Sequence, residues 1–224
     1  MSGPRAALII LGKELRLELR TRELINATVI FALIVVVLFN FAFDPSAADS
    51  RRYGPGLLWI AFLFAGSLML NPSFARERSN DTLDALRLAP VSPFAILSGK
   101  MIANFLFMSL VEIILVPVFG VLYNVSILPI LGGLIFVIAL GTAGLVITGT
   151  VFSAISAHAR MRELLLPLLL LPILAPLLIA AVEATSSLFG DAPALDSTWV
   201  TFLAGFDIVF LTASWLLSDF LVEE

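Results

Sequence analysis

The chain has 224 residues, of which 60% are hydrophobic and 13% charged, with a mean hydropathy of +1.06. Soluble domains are about 45–50% apolar and about 25% charged, so a soluble globe of this size has nowhere to hide its apolar surface and part of its solvent must be lipid. Thirteen basic against seventeen acidic residues leave no basic stripe for a nucleic-acid backbone, and zero cysteines exclude a disulfide framework, a thiolate metal site and a cysteine nucleophile.

The first predicted element is a helix over 5–23. Leu8, Leu11, Leu15 and Leu19 recur at helical spacing and fall on one stripe. Lys13, Arg16 and Arg20 gather on one flank, Glu14 and Glu18 on the other, and Glu18 to Arg22 is a favourable i,i+4 pair. Segment 1–23 is therefore read as a cytoplasmic interfacial amphipathic helix. It is either a tether on anionic head groups or a docking surface for a soluble partner.

Six apolar runs follow, each near the about 20 residues a membrane-spanning helix needs. They cover 24–43, 55–75, 98–122, 127–155, 164–184 and 199–221. The first is longer than a signal-peptide core and is read as retained. The fourth is long enough to tilt or break. Short connections leave no room for a second domain, so 24–224 is one six-helix, all-α, polytopic membrane domain. Eleven of the thirteen lysines and arginines then lie on one side, with Arg51 and Arg52 on the other. The positive-inside rule makes both termini cytoplasmic and places Tyr53, Tyr123 and Trp199 near the outer interface.

Between spans two and three, Asn80 or Asp81 can cap a short helix, about 79–90, with Leu83, Leu86 and Leu88 on its apolar side. Pro90 ends it. Held by two spans at the membrane surface, this helix is built to pass force from a soluble partner; an ordinary amphipathic connector is the other reading.

Glu77, then Asp81-Thr82-Leu83-Asp84-Ala85-Leu86, then Pro90, then Gly99-Lys100, resembles the "E…GTLE-x-L…P…GK" stretch of ABC-2-type transporter permeases. Asn80-Asp81 departs mildly from the acidic-Gly of that pattern. The length, the six spans, the short outer loops and the opening Lys13-Glu14-Leu15-Arg16-Leu17-Glu18-Leu19-Arg20-Thr21-Arg22-Glu23 are similar to one branch, the haem-exporter permeases of cytochrome c maturation, the CcmB family. The resemblance implies a permease subunit without catalytic chemistry, coupled to its ATPase through Arg76, Glu77, Arg78, Asp81, Thr82, Leu83, Asp84, Leu86 and Pro90. It implies an ABC ATP-binding subunit (CcmA-like), a haem-handling membrane protein (CcmC-like), a small membrane subunit (CcmD-like) and a periplasmic haem chaperone (CcmE-like). It also implies two membrane halves, as in a homodimer, and a bacterial inner membrane. No cofactor is bound directly under this reading: ATP sits on the partner, haem is handled by the complex, and hydrolysis drives release of the haem-loaded chaperone. An exporter of another substrate (lipid, drug or glycan) and a non-transporting assembly scaffold remain alternatives.

The residues agree on the division of labour. Gly12-Lys13 and Gly99-Lys100 lack the upstream glycine and the following Ser/Thr of a phosphate loop. Neither H-E-x-x-H nor G-x-S-x-G occurs, which argues against an intramembrane hydrolase.

Three acids fall within the spans. Glu112 and Asp207 lie deep, as structural hydrogen-bonding groups or as parts of a pathway, and Glu183 lies near the outer interface. His158, the only histidine, is read as a solvated loop residue. Gly144 with Thr148, and Gly149 with Ser153, are small-x-x-x-small pairs for close helix approach, within the chain or across a dimer. Pro167, Pro172 and Pro176 predict a bent fifth span.

Overall fold

The structure, a computed structural model, describes residues 3–43, 47–70, 74, 91–156, 162–190 and 192–223. Among these are seven α-helices and no strand: α1 (Gly3–Thr21), α2 (Glu23–Phe43), α3 (Ala47–Leu70), α4 (Pro93–Leu122), α5 (Leu131–Ser156), α6 (Arg162–Phe189) and α7 (Ser197–Glu223). Six of them, α2 to α7, are long and apolar enough to cross a membrane. The chain is an all-α polytopic membrane protein.

α5 is the centre of the bundle and packs on α3, α4, α6 and α7. Its glycines let neighbours close on its backbone. A Cβ on Gly141 would lie 2.1 Å from Cη2 of Trp59, and one on Gly149 would lie 2.3 Å from Cδ1 of Leu70. Trp59 of α3 therefore sits in a notch of α5, and its Nε1 donates to Thr185 Oγ1 of α6 at 2.9 Å. Three spans meet at one buried indole. The small-residue pairs of α5 are occupied by packing within the chain, with Thr148 and Ser153 both buried.

α4 begins at Pro93, five residues before the expected start at Ser98. Proline suits the first helical position, where its missing N–H costs nothing. The helix ends in a Schellman turn: Asn124 adopts φ 51°, Val125 N–H reaches Gly120 O at 2.9 Å, and Asn124 N–H reaches Val121 O at 3.4 Å. The chain then makes a 3-10 turn, Leu128–Ile130, before α5. The long fourth apolar run is thus broken near its start. Tyr123, at the end of the span, is buried against the protein; its hydroxyl donates to Val36 O of α2 at 3.2 Å and its ring stacks on Phe119. α6 runs on to Phe189, five residues beyond the expected end, and stays helical through Pro167, Pro172 and Pro176.

α1 runs beside the first turns of α4 at one end of the bundle, called here the α1 end. Its buried face is Ala6, Ala7 and Ile10; of the leucine stripe, Leu11 and Leu15 are partly buried against the core and Leu8 and Leu19 are exposed. The reason lies on α4: a Cβ on Gly99 would stand 2.8 Å from Ala7 O and 2.9 Å from Ile10 Cβ. The missing side chain of Gly99 allows so close an approach, with Ile10 packed directly against it. One residue, Arg22 (φ 52°), separates α1 from α2. Glu18 does not complete the expected picture of an i,i+4 partner: its carboxylate accepts Ile25 N–H at 2.9 Å, capping α2, while Arg22 Nε donates to Leu19 O.

Candidate functional site

Two groups of polar side chains stand out against this apolar frame. The first fastens α1 to α4. Lys100, two turns into α4 and inside the expected span 98–122, is 1% exposed. Its ammonium donates to Glu14 Oε1 of α1 at 3.0 Å and lies 4.8 Å from the centroid of the Phe74 ring. Lys13 reaches the same carboxylate oxygen at 3.2 Å. Burial pushes the Glu14 carboxyl up, but the Lys100 and Lys13 ammoniums and their hydrogen bonds outweigh it and hold the group below its ordinary value. Lys13, Arg16 and Arg20, the basic flank expected from the sequence, are exposed, as is Arg5, and Lys13 reaches from that flank to Glu14.

The second group lies between the spans. Glu112 of α4 is 4% exposed and accepts a hydrogen bond from Thr142 Oγ1 of α5. Asp207 of α7 is half-buried against the other side of α5, where its Oδ1 is 2.6 Å from the position of a Cβ on Gly144. No side chain replaces that hydrogen, so the carboxylate fits the backbone there. Among the described residues Asp207 Oδ1 and Thr148 Oγ1 are buried without a hydrogen-bond partner. Thr142 and Gly144 are two residues apart, so the two predicted intramembrane acids lie at nearly one level, with α5 between them. Glu183 is exposed near the far end of α6, as expected. Sequence reasoning missed three further ties: Asn104 Nδ2 to Thr150 Oγ1 at 3.1 Å, Asn40 Nδ2 to Leu122 O at 2.8 Å, and the Trp59–Thr185 bond. Their only advance signal was an amide or indole inside an apolar run.

A cleft of about 970 Å³ opens between α4 and α5 in the half of the bundle away from α1. Ile113, Pro117, Val121 and Ile135 line its walls, and Glu112 lines its deep end. The nine predicted coupling residues, Arg76, Glu77, Arg78, Asp81, Thr82, Leu83, Asp84, Leu86 and Pro90, lie outside the described residues, as does His158. The described part of the chain nevertheless fixes where that stretch is attached. The described residues that flank it lie at the α1–α4 contact: the Phe74 ring faces the Lys100 ammonium, and Val91 packs on Ile10 and Ile96. Among the described residues no group of three or more His, Cys, Asp or Glu could hold a metal ion.

A polytopic helical bundle with one amphipathic helix clasped to a span, intramembrane acids held by hydrogen bonds or glycine, and a lateral cleft has the parts of a transport subunit rather than of an enzyme. The sequence comparisons agree. The model of the CcmB protein family matches residues 5–220, and the chain belongs to that family. Heme exporter protein B of Rhodobacter capsulatus is 33% identical over 174 residues, covering 78% of this chain and 79% of the relative. Heme exporter protein B of Paracoccus denitrificans is 32% identical over 202 residues, covering 90% of this chain and 91% of the relative. The Pseudomonas aeruginosa protein of the same name is 30% identical over 188 residues, covering 83% of this chain and 82% of the relative.

Proposed function

We propose that this chain is the membrane permease subunit of a haem-export ABC transporter that serves cytochrome c maturation. The family match over residues 5–220, to relatives named Heme exporter protein B, carries the reading. A separate ATP-binding subunit hydrolyses ATP, and the α1 end of the bundle faces it from the cytoplasmic side of a bacterial inner membrane. The ATPase contacts the 76–90 stretch, which joins α3 to α4 at the α1 end. Force applied there reaches α4 at its first turns, where Gly99 and Lys100 are locked to α1. The geometry therefore supports one mechanical unit made of the coupling stretch, α1 and the start of α4. Its strokes would drive release of a haem-loaded chaperone by the assembled complex, which includes a haem-handling membrane protein, a small membrane subunit and a second permease copy.

The test is a mild-detergent purification of the tagged chain from its native membranes, paired with haem staining of c-type cytochromes in a deletion strain. Recovery of an ABC ATPase with haem-handling subunits, and loss of covalent haem on deletion, is the expected result. An ATPase alone, with normal cytochromes, would leave an exporter of another substrate. No ATPase at all would overturn the coupling scheme.

A further inference from the structure

The cleft between α4 and α5 is described by neither the family match nor the coupling scheme. From Ser109 to Val121 it follows α4 for about 18 Å, at 1.5 Å per residue. Glu112 lies one turn short of its deep end at Ser109, ten residues and so about 15 Å from the end of α4 at Leu122, close to the middle of a hydrocarbon layer about 30 Å thick. The walls are apolar and face outward, with Ile113 72% and Val121 82% exposed. Apolar walls suit lipid as well as protein, so the choice of occupant falls to the polar floor.

That floor is rich in acceptors. A carboxyl group offers about four lone-pair sites, and among the described residues the Glu112 carboxyl receives one donor, Thr142. Pro117, one turn above, has no N–H to give to the carbonyl of Ile113. Polar groups at this depth need partners, because hydrocarbon supplies none. A phospholipid cannot meet the need: its chains carry no donor, and its head group stays at the surface, about 15 Å away. A second copy of this chain is poorly equipped too. The lipid-facing sides of α2 and α7 show Phe31 and Ile34 on one and Ile208 and Val209 on the other, and the exposed Thr212 of α7 already donates its hydroxyl to Ile208 O at 2.7 Å.

We infer that the α4–α5 cleft seats a transmembrane helix of a different subunit, one that carries a hydrogen-bond donor side chain level with Glu112. Side-chain hydrogen bonds between helices are the recurrent polar fastening in membranes. The inference rests on the proposed function only in requiring a further membrane subunit in the complex.

The experiment uses the full complex in native membranes. A photoreactive benzoyl-phenylalanine replaces Ile135 on the cleft wall, and the adduct is mapped by mass spectrometry. The expected adduct is a transmembrane helix of another subunit with Ser, Thr, Asn, Gln, His, Lys, Arg or Trp within one turn of the attachment point. Glu112→Leu lowers its yield by about tenfold, the scale of one interhelical hydrogen bond in lipid; Glu112→Gln, which keeps an acceptor oxygen, retains it. Should Glu112→Leu fail to accumulate, Ile113→Trp, at an exposed position, blocks the cleft without touching the core and lowers the yield alike. Adducts with lipid or with a second copy of this chain overturn the inference, as do free labelling of an Ile113→Cys variant by a water-soluble maleimide in the complex and an adduct indifferent to Glu112→Leu and Ile113→Trp. Haem staining of the same strain reports separately on the proposed function, because normal cytochromes without this chain would sink that reading and leave the adduct to be judged by itself.

Discussion

Lys100→Met tests how firmly α1 is held. At 3.0 Å and an effective dielectric near 20, the Glu14–Lys100 attraction is about 5–6 kcal/mol before desolvation. Removing one partner of a buried pair costs about 3–5 kcal/mol. The lower end or less applies here, since Glu14 is 18% exposed and keeps Lys13 beside it. Methionine preserves the stem against Phe74 and removes the charge, so the expected loss is about 2 kcal/mol, or about 30-fold in the equilibrium for lifting α1 off α4. The chain has no cysteine, so Ile10→Cys supplies a single reporter at a position 5% exposed in the packed state. Maleimide labelling of that thiol should accelerate by about 30-fold in the Lys100→Met background, with secondary structure unchanged. A Glu14→Gln, Lys100→Met double variant should label little faster than Lys100→Met alone, because the two residues share one interaction. An acceleration under threefold, or strictly additive effects, would refute the view that this pair holds the helix.

The same carboxylate predicts a pH dependence. Its native value is held below the ordinary 4.5, so its contribution is complete above that pH and is lost as pH falls through the native value. The gap in melting temperature between the parent chain and Glu14→Gln should therefore shrink below pH 4.5 and stay constant from pH 5 to 7. Gly141→Ala drives a methyl into Trp59, costs about 1–3 kcal/mol and lowers the detergent melting temperature by about 5 °C. Thr142→Val withdraws the donor from Glu112 and costs about 1–3 kcal/mol, whereas Thr142→Ser restores most of it in the same melt. Leu83→Asp with Leu86→Asp should cut ATPase stimulation and subunit co-purification by about tenfold or more while the chain still reaches the membrane, as a buried charge at an interface costs several kcal/mol.

The spans were legible because an apolar run of about 20 residues has few alternatives to crossing lipid. Local readings failed where a distant residue changed the meaning of a near one. Lys100 stands as a lone charge in the expected span 98–122, and nothing near it in sequence shows that Glu14, 86 positions earlier, is the partner that makes it acceptable there. The leucine stripe of α1 is split, with Leu11 and Leu15 against the core and Leu8 and Leu19 exposed, because Gly99 admits the Ala7 and Ile10 side, and no periodicity within α1 records that. Tyr123 reads as interfacial by its place at a span end, and that Val36 O accepts its hydroxyl needed the packing. Depth alone marked Glu112 and Asp207 as held residues; that both abut α5, through Thr142 and Gly144, needed the packing. The cleft had no sequence signature, since its walls read as ordinary lipid-facing positions.

The corner at Arg22 has a mechanical consequence. Two helices joined through one residue have almost no slack, and a left-handed φ of 52° fixes the angle between them. Glu18 braces the joint by capping α2 from within α1. α2 buries Thr28, Ala32 and Val36 and is tied to α4 by Asn40 to Leu122 O and by Tyr123 to Val36 O. With a stiff elbow at one end and those two ties toward the other, α2 is a strut that links α1 to the far end of α4.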